Sequence, residues 1–224
     1  MRRCIVLDKP DSIQDQYEVI QNALNGGKVT LYLQEGVYHV SKTLKVYSQT
    51  TIRATDRTVI RRMDHTAADI SDCLITNEPV TDNVSECIEL DGGIWDMNNA
   101  ANPRGTDKDK SYWGLALRFY KVNGLTIRDL TVANAETYFI RLCRINHFRI
   151  LNVRLFTSLP AANQDGVHMN GYCFNGVIRG LYAISPLTPN DDMIAFNAFD
   201  GLGYQNDGIE LGPIENIEVE DVYA

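Results

Sequence analysis

The pattern of hydrophobic and polar positions changes period once along this chain. Over residues 12–24, Ile13, Tyr17, Ile20 and Leu24 recur at helical spacing, with Ser12 placed to cap the first turn and Gly26-Gly27 to stop the last. That pattern predicts one amphipathic helix with its apolar stripe facing a core. From Val29 the period becomes two: Val29, Leu31 and Leu33 alternate with Thr30, Tyr32 and Gln34, Glu35-Gly36 turns the chain, and Val37-Tyr38-His39-Val40 resumes. No further helical pattern follows.

Instead, two strand series repeat. One reads Ile127, Leu130, Val132, then Ile150, Val153, Leu155, then Ile178, Leu181, Ala183, then Val219, Val222, Ala224. The other reads Leu117-Arg118-Phe119, Ile140-Arg141-Leu142, Val167-His168-Met169 and Ile194-Ala195-Phe196, recurring after 23, 27 and 27 residues. Two series that keep nearly one period mark a solenoid. Turns at Asn123-Gly124, Asn146-His147, Asn175-Gly176 and Glu215-Asn216 break each repeat into short strands. The expected architecture is all-β, a right-handed single-stranded parallel β-helix with an N-terminal capping α-helix. Residues 1–27 form the capping segment and residues 28–224 the β-helix. Leu117, Ile140, Val167 and Ile194 should fill the core as one inward column, and the helix should cover the first coil, where apolar core and strand edges would otherwise lie open.

Composition narrows the partners. With 224 residues and 44% hydrophobic content the chain can bury a large core as one domain, and a net charge of −8 without any basic run argues against nucleic acid or an anionic membrane surface. Five cysteines at irregular spacing give neither a metal motif nor a complete disulfide framework, so buried free thiols are expected. The start, Met1-Arg2-Arg3-Cys4-Ile5-Val6-Leu7-Asp8, is too short in apolar residues for a signal-peptide core, and the expected location is the cytoplasm. The polar stretch 96–113 is long for a connection; it either overhangs the strand that follows or is a mobile insertion without a role.

The candidate chemistry lies in two acidic turns, Asn163-Gln164-Asp165-Gly166 and Asn190-Asp191-Asp192. Asp165 stands two residues before core position Val167 and Asp192 two before Ile194, so both should occupy one column in successive coils, about 4.8 Å apart at the strand spacing, with Asp191 adjacent. Stacked carboxylates repel unless one is protonated or a ligand is bound, and an acid beside a base is what glycosidic bond cleavage uses. Outward positions Arg118, Arg141, His168 and Ala195 form a column beside them, where the arginines would suit an anionic sugar such as a uronate and His168 would position substrate. Tyr138 sits one coil before Asp165, to support a sugar ring or to pack.

The opening, with its helix, Gly26-Gly27 and Val29-Thr-Leu-Tyr-Leu-Gln-Glu-Gly-Val-Tyr, resembles the start of pectate-lyase-superfamily β-helix proteins. Asn163-Gln-Asp-Gly-Val-His followed by Asn190-Asp-Asp-Met-Ile-Ala-Phe-Asn is similar to the Asn-x-Asp and Asp-Asp motifs of glycoside hydrolase family 28, the polygalacturonases and their relatives. The resemblance implies inverting, metal-free hydrolysis of a polysaccharide, usually pectin. Asp192 would match the general acid, and Asp165 with Asp191 the pair that activates water. The family's Gly-His-Gly and Arg-x-Lys motifs would fall past Ala224. The chain is therefore expected to lack C-terminal coils and to present a bare last coil: a fragment, a homo-oligomer capped there, or a sticky end. Two other functions fit the same fold. One is a polysaccharide lyase that uses the aspartates to hold Ca²⁺ and an arginine as base; the other is a non-catalytic carbohydrate-binding or structural β-helix.

Overall fold

The computed structural model describes residues 1–10, 13–67, 69, 72–77, 84–104, 114–199 and 210–224. Strand Arg3–Leu7 comes first, then helix Tyr17–Leu24 and strands Val29–Leu33, Gly36–Val40, Leu44–Val46, Thr50–Ala54, Thr58–Arg62, Cys73–Asn77, Ser85–Asp91 and Ile94–Asp96. Strands Leu115–Arg128, Thr131–Ala133, Ile140–Phe156, Val167–Met169, Cys173–Ala183, Ile194–Phe196 and Ile214–Tyr223 complete the order. Each strand pairs in parallel with its counterpart one coil away, giving three walls of a right-handed parallel β-helix.

The register makes the walls explicit. On the first, Leu44, Ile75, Leu117, Ile140, Val167 and Ile194 lie side by side. On the second, the inward column is Ile5, Leu31, Ile52, Leu90, Ile127, Ile150, Ile178 and Val219. On the third it is Tyr38, Ile60, Trp95, Val132, Leu155 and Ala183. The three columns meet in one continuous hydrophobic core, buried except at its ends. Both repeating series read from the sequence fall in the register expected of them.

The corners explain why strands as long as Ile140–Phe156 can wrap two walls. Between the first and second walls stands a column of left-handed residues, Gln49, Cys87, Gly124, His147, Asn175 and Asn216, with φ of 62°, 55°, 81°, 54°, 54° and 57°. A single αL residue turns an extended chain sharply without a loop, and Asn, His and Gly tolerate that conformation best. Side chains reinforce the corner: Asn146 Nδ2 donates to Asn123 Oδ1 at 3.3 Å, Asn175 to Asn146 at 2.9 Å and Asn216 to Asn175 at 3.3 Å. Asp129, Asn152, Gly180 and Asp221 play the same part between the second and third walls.

At the N-terminal end each wall's edge is covered differently. Strand Arg3–Leu7 pairs onto the second wall. Asp15 bridges His39, and Gln16 N–H donates to His39 O at 2.7 Å, on the third. On the first, the helix buries Ile20, Ala23 and Leu24 and lays its Gln21 amide along the open strand edge. Gln21 Nε2 donates to Lys45 O at 3.0 Å, and Lys45 N–H donates to Gln21 Oε1 at 2.8 Å. The side-chain amide thus replaces the two backbone groups of a missing strand, which would otherwise leave a buried donor and acceptor unmet.

Three expectations are corrected. The helix begins at Tyr17 rather than near residue 12; Ile13 is 77% exposed, Ser12 lies outside the described residues, and Asp15 Oδ1 accepts from Tyr17 N–H at 2.9 Å where a cap was sought. The start of the stretch 96–113 is neither overhang nor insertion: Met97, Asn98, Asn99 and Asn102 are buried, with Asn98 Nδ2 donating to Arg62 O and Asn102 Oδ1 accepting from Thr66 N–H, both at 3.0 Å. Residues 105–113 lie outside the described residues. All five cysteines are free, but Cys4 and Cys87 are exposed; burial pushes the Cys143 thiol up to about 11 and that of Cys173 up to about 12.

Candidate active site

The acidic turns sit where the chain enters the first wall. The ladder begins before the strands do: Phe139 N–H donates to Asp165 O at 2.9 Å, Gly166 N–H to Asp192 O at 2.9 Å and Val167 N–H to Met193 O at 3.0 Å. Asp165 and Asp192 are therefore in register on neighbouring coils. Gly166 is required by this closeness, because a Cβ there would lie 2.5 Å from Met193 O and 2.7 Å from Leu155 Cδ1. Gln164, fully buried, anchors the turn by donating from Nε2 to Ala135 O. Asn190 Nδ2 donates to Ala161 O at 3.2 Å and ties the second turn to the first.

From this scaffold one carboxylate oxygen each of Asp165, Asp191 and Asp192 comes within 4.8 Å of the others. Their surroundings differ. Asp165 is 5% exposed, whereas Asp191 and Asp192 face solvent. His168, 2% exposed, places Nδ1 2.6 Å from Asp165 Oδ2, and Tyr138 stacks on the imidazole at 3.8 Å between ring centroids and 14° between planes. Asn163 Nδ2 donates to the Tyr138 hydroxyl at 3.2 Å. The face of Tyr138 is thus covered by His168, and packing describes its place.

The column Arg118, Arg141, His168, Ala195 is in register. Its exposure differs from the open groove expected: Arg141 is 2% exposed, and its Nε donates to Asn170 Oδ1 at 3.0 Å. Arg118 is half-buried, with Nε donating to Thr76 Oγ1 at 3.4 Å. Sequence reasoning overlooked Asn170 and Asn197, whose Nδ2 atoms each lie 3.4 Å from His168 Nε2. They were detectable, since each stands one place past its strand's Met169 or Phe196 and they therefore share a column. In the coil before, burial raises the carboxyl of Glu136, which accepts from Arg104 N–H at 3.1 Å.

Against known proteins the backbone is the informative comparison. No family model matches the sequence, and no curated protein does. A putative glycosyl hydrolase from Parabacteroides merdae superposes with a TM-score of 0.67 at 13% identity, over 95% of this chain and 89% of that one. The ι-carrageenase of family GH82 from A. fortis gives 0.66 at 13%, covering 97% of this chain and 49% of its own. The Streptococcus pneumoniae surface adhesin PfbA gives 0.63 at 16%, covering 94% and 54%. The shared property is the fold. This chain has the parallel β-helix that these proteins share, and it spans about half the length of the carrageenase and the adhesin.

Proposed function

We propose that this chain is a glycoside hydrolase that cleaves a polysaccharide with its three clustered carboxylates. The observation that carries the reading is the convergence of Asp165, Asp191 and Asp192, from two consecutive coils, on one corner with oxygens within 4.8 Å. An acid beside a base is the pairing that glycosidic bond cleavage uses. In the proposed roles Asp192, exposed at the rim, protonates the leaving oxygen, and Asp165 with Asp191 holds and deprotonates the attacking water. The partial exposure of Arg118 suits an anionic polysaccharide, pectic or otherwise uronate-containing. The resemblance to family 28 argues for inversion. A cluster this tight is nearer the separation of about 5–5.5 Å typical of retaining enzymes than the about 6.5–9.5 Å of most inverting ones. The anomeric form of the first product, read by proton NMR, separates the two outcomes.

The test is a reducing-sugar assay over plant, algal and bacterial polysaccharides. Wild type should release ends from at least one, and Asp192→Asn and Asp165→Asn should each lose about 10²–10⁴-fold, the range of a positioned acid or base. Equal release by all three proteins contradicts the proposal. The same oxygen cluster also has the donor set that a hard cation takes. A Ca²⁺-dependent lyase would give ultraviolet-absorbing products that a chelator abolishes. A polysaccharide-binding module without turnover would keep its affinity in Asp192→Asn.

A further inference from the structure

Behind the three carboxylates lies a line of polar side chains, all buried: Arg141, Asn170, His168 and Asp165. Burying four such groups is costly unless each hydrogen bond has a fixed direction, and here the directions can be read off. Arg141 Nε can only donate, so the atom of Asn170 that it meets at 3.0 Å is the carbonyl oxygen, Oδ1. That turns the Asn170 amide nitrogen toward His168 Nε2, at 3.4 Å, and Asn197 presents its own amide nitrogen to the same atom from the next coil, also at 3.4 Å. An amide nitrogen has only hydrogens to offer, so Nε2 is the accepting nitrogen and the ring proton sits on Nδ1. Nδ1 is the atom 2.6 Å from Asp165 Oδ2. The Tyr138 ring stacked on the imidazole closes off its remaining freedom.

We propose that Arg141, Asn170 and Asn197 set the tautomer of His168, and that His168, through Nδ1–H, is the positioning residue that aims the Asp165 carboxylate at the corner. Arg141 is accordingly assigned to the support of Asp165. A relay of this kind leaves the three carboxylates as the groups that touch substrate and contributes by holding one of them in a single orientation, as outer-shell partners do for other reactive groups. The kinetic part rests on the hydrolase reading; the tautomer does not.

The first test is side-chain ¹⁵N NMR of the full chain at neutral pH, with the His168 signals identified by their loss in His168→Asn. The expected spectrum shows His168 protonated at Nδ1 and unprotonated at Nε2, and in Asn170→Leu a shift of population toward Nε2–H. A wild-type ring carrying its proton on Nε2, or on both nitrogens, overturns the assignment, even if Asn170→Leu fails to fold. The second test compares His168→Asn, whose amide nitrogen can stand where Nδ1 stood, with His168→Leu. His168→Leu should lose about 10–100-fold in kcat with KM unchanged, the usual cost of removing an outer-shell partner, and His168→Asn should recover most of it. Equal losses in both variants, or a change confined to KM, contradict the positioning role. If wild type turns over no polysaccharide, the hydrolase reading fails while the spectrum still decides the relay.

Discussion

At the scale of single residues, the acidic corner depends on a glycine more than on the acids themselves. Gly166 lets two coils approach until Asp165 and Asp192 share a ladder, and any Cβ there meets a backbone carbonyl that cannot move aside. Gly166→Ala should lower stability by about 1–3 kcal/mol, as overpacking does, and should reduce turnover further by spreading the carboxylates. Urea unfolding followed by circular dichroism reads the first effect; an unchanged midpoint would show that the coils have room to spare. Asp165 and Asp192 could be paired from the sequence because their offsets from Val167 and Ile194 are the same and the strands are in register. The burial of Arg141 could not. Its outward parity is legible, but what covers an outward residue depends on Asn170 and on neighbouring coils, and parity says nothing of either.

At the scale of elements, the walls and the N-terminal capping helix were legible, and the first strand and the start of the helix were not. Period-two alternation and a constant repeat identify inward columns because each strand must bury one face, which forces the register. Strand Arg3–Leu7 has exposed Arg3, Cys4 and Val6 beside half-buried Ile5 and Leu7, a weak alternation over five residues, and its pairing with Val29–Leu33 only appears in three dimensions. The helix start was misplaced because Ser12 looks like a cap and Asp15 acts as the local acceptor. Burial works against the Asp15 carboxylate, but the Ser41 hydroxyl, the Tyr17 and Ser41 N–H groups and Lys42 together outweigh it and hold its pKa below the usual value. A carboxyl depressed by folding adds stability above its unfolded value of about 3.9 and loses it as pH falls through the folded one. Asp15→Ala should therefore lower stability at neutral pH, with the gap to wild type closing as pH is lowered from about 5 toward about 3. Parallel thermal melts across that range check it; a constant gap would mean that the charge of Asp15 is irrelevant.

At the scale of the whole molecule, the solenoid turns sequence period into spatial adjacency. Residues 27 positions apart become neighbours at one strand spacing, so three aspartates from two short turns meet at one corner. The corner between the first and second walls repeats left-handed residues and an asparagine ladder coil after coil, while the acidic turns are held by their own contacts, Gln164 to Ala135 and Asn190 to Ala161. Strand Ile214–Tyr223, paired to Cys173–Ala183, carries Glu215, Glu218, Glu220 and Asp221, with Glu218 and Glu220 both gripping Arg179. The most direct measurement of the central claim is a double-mutant cycle on kcat/KM with Asp165→Asn, Asp192→Asn and the two combined. Groups that serve one bond cleavage are strongly non-additive, so the double variant should be scarcely slower than the worse single one. Losses that simply multiply, or no loss in any variant, would mean that the two carboxylates do not work together.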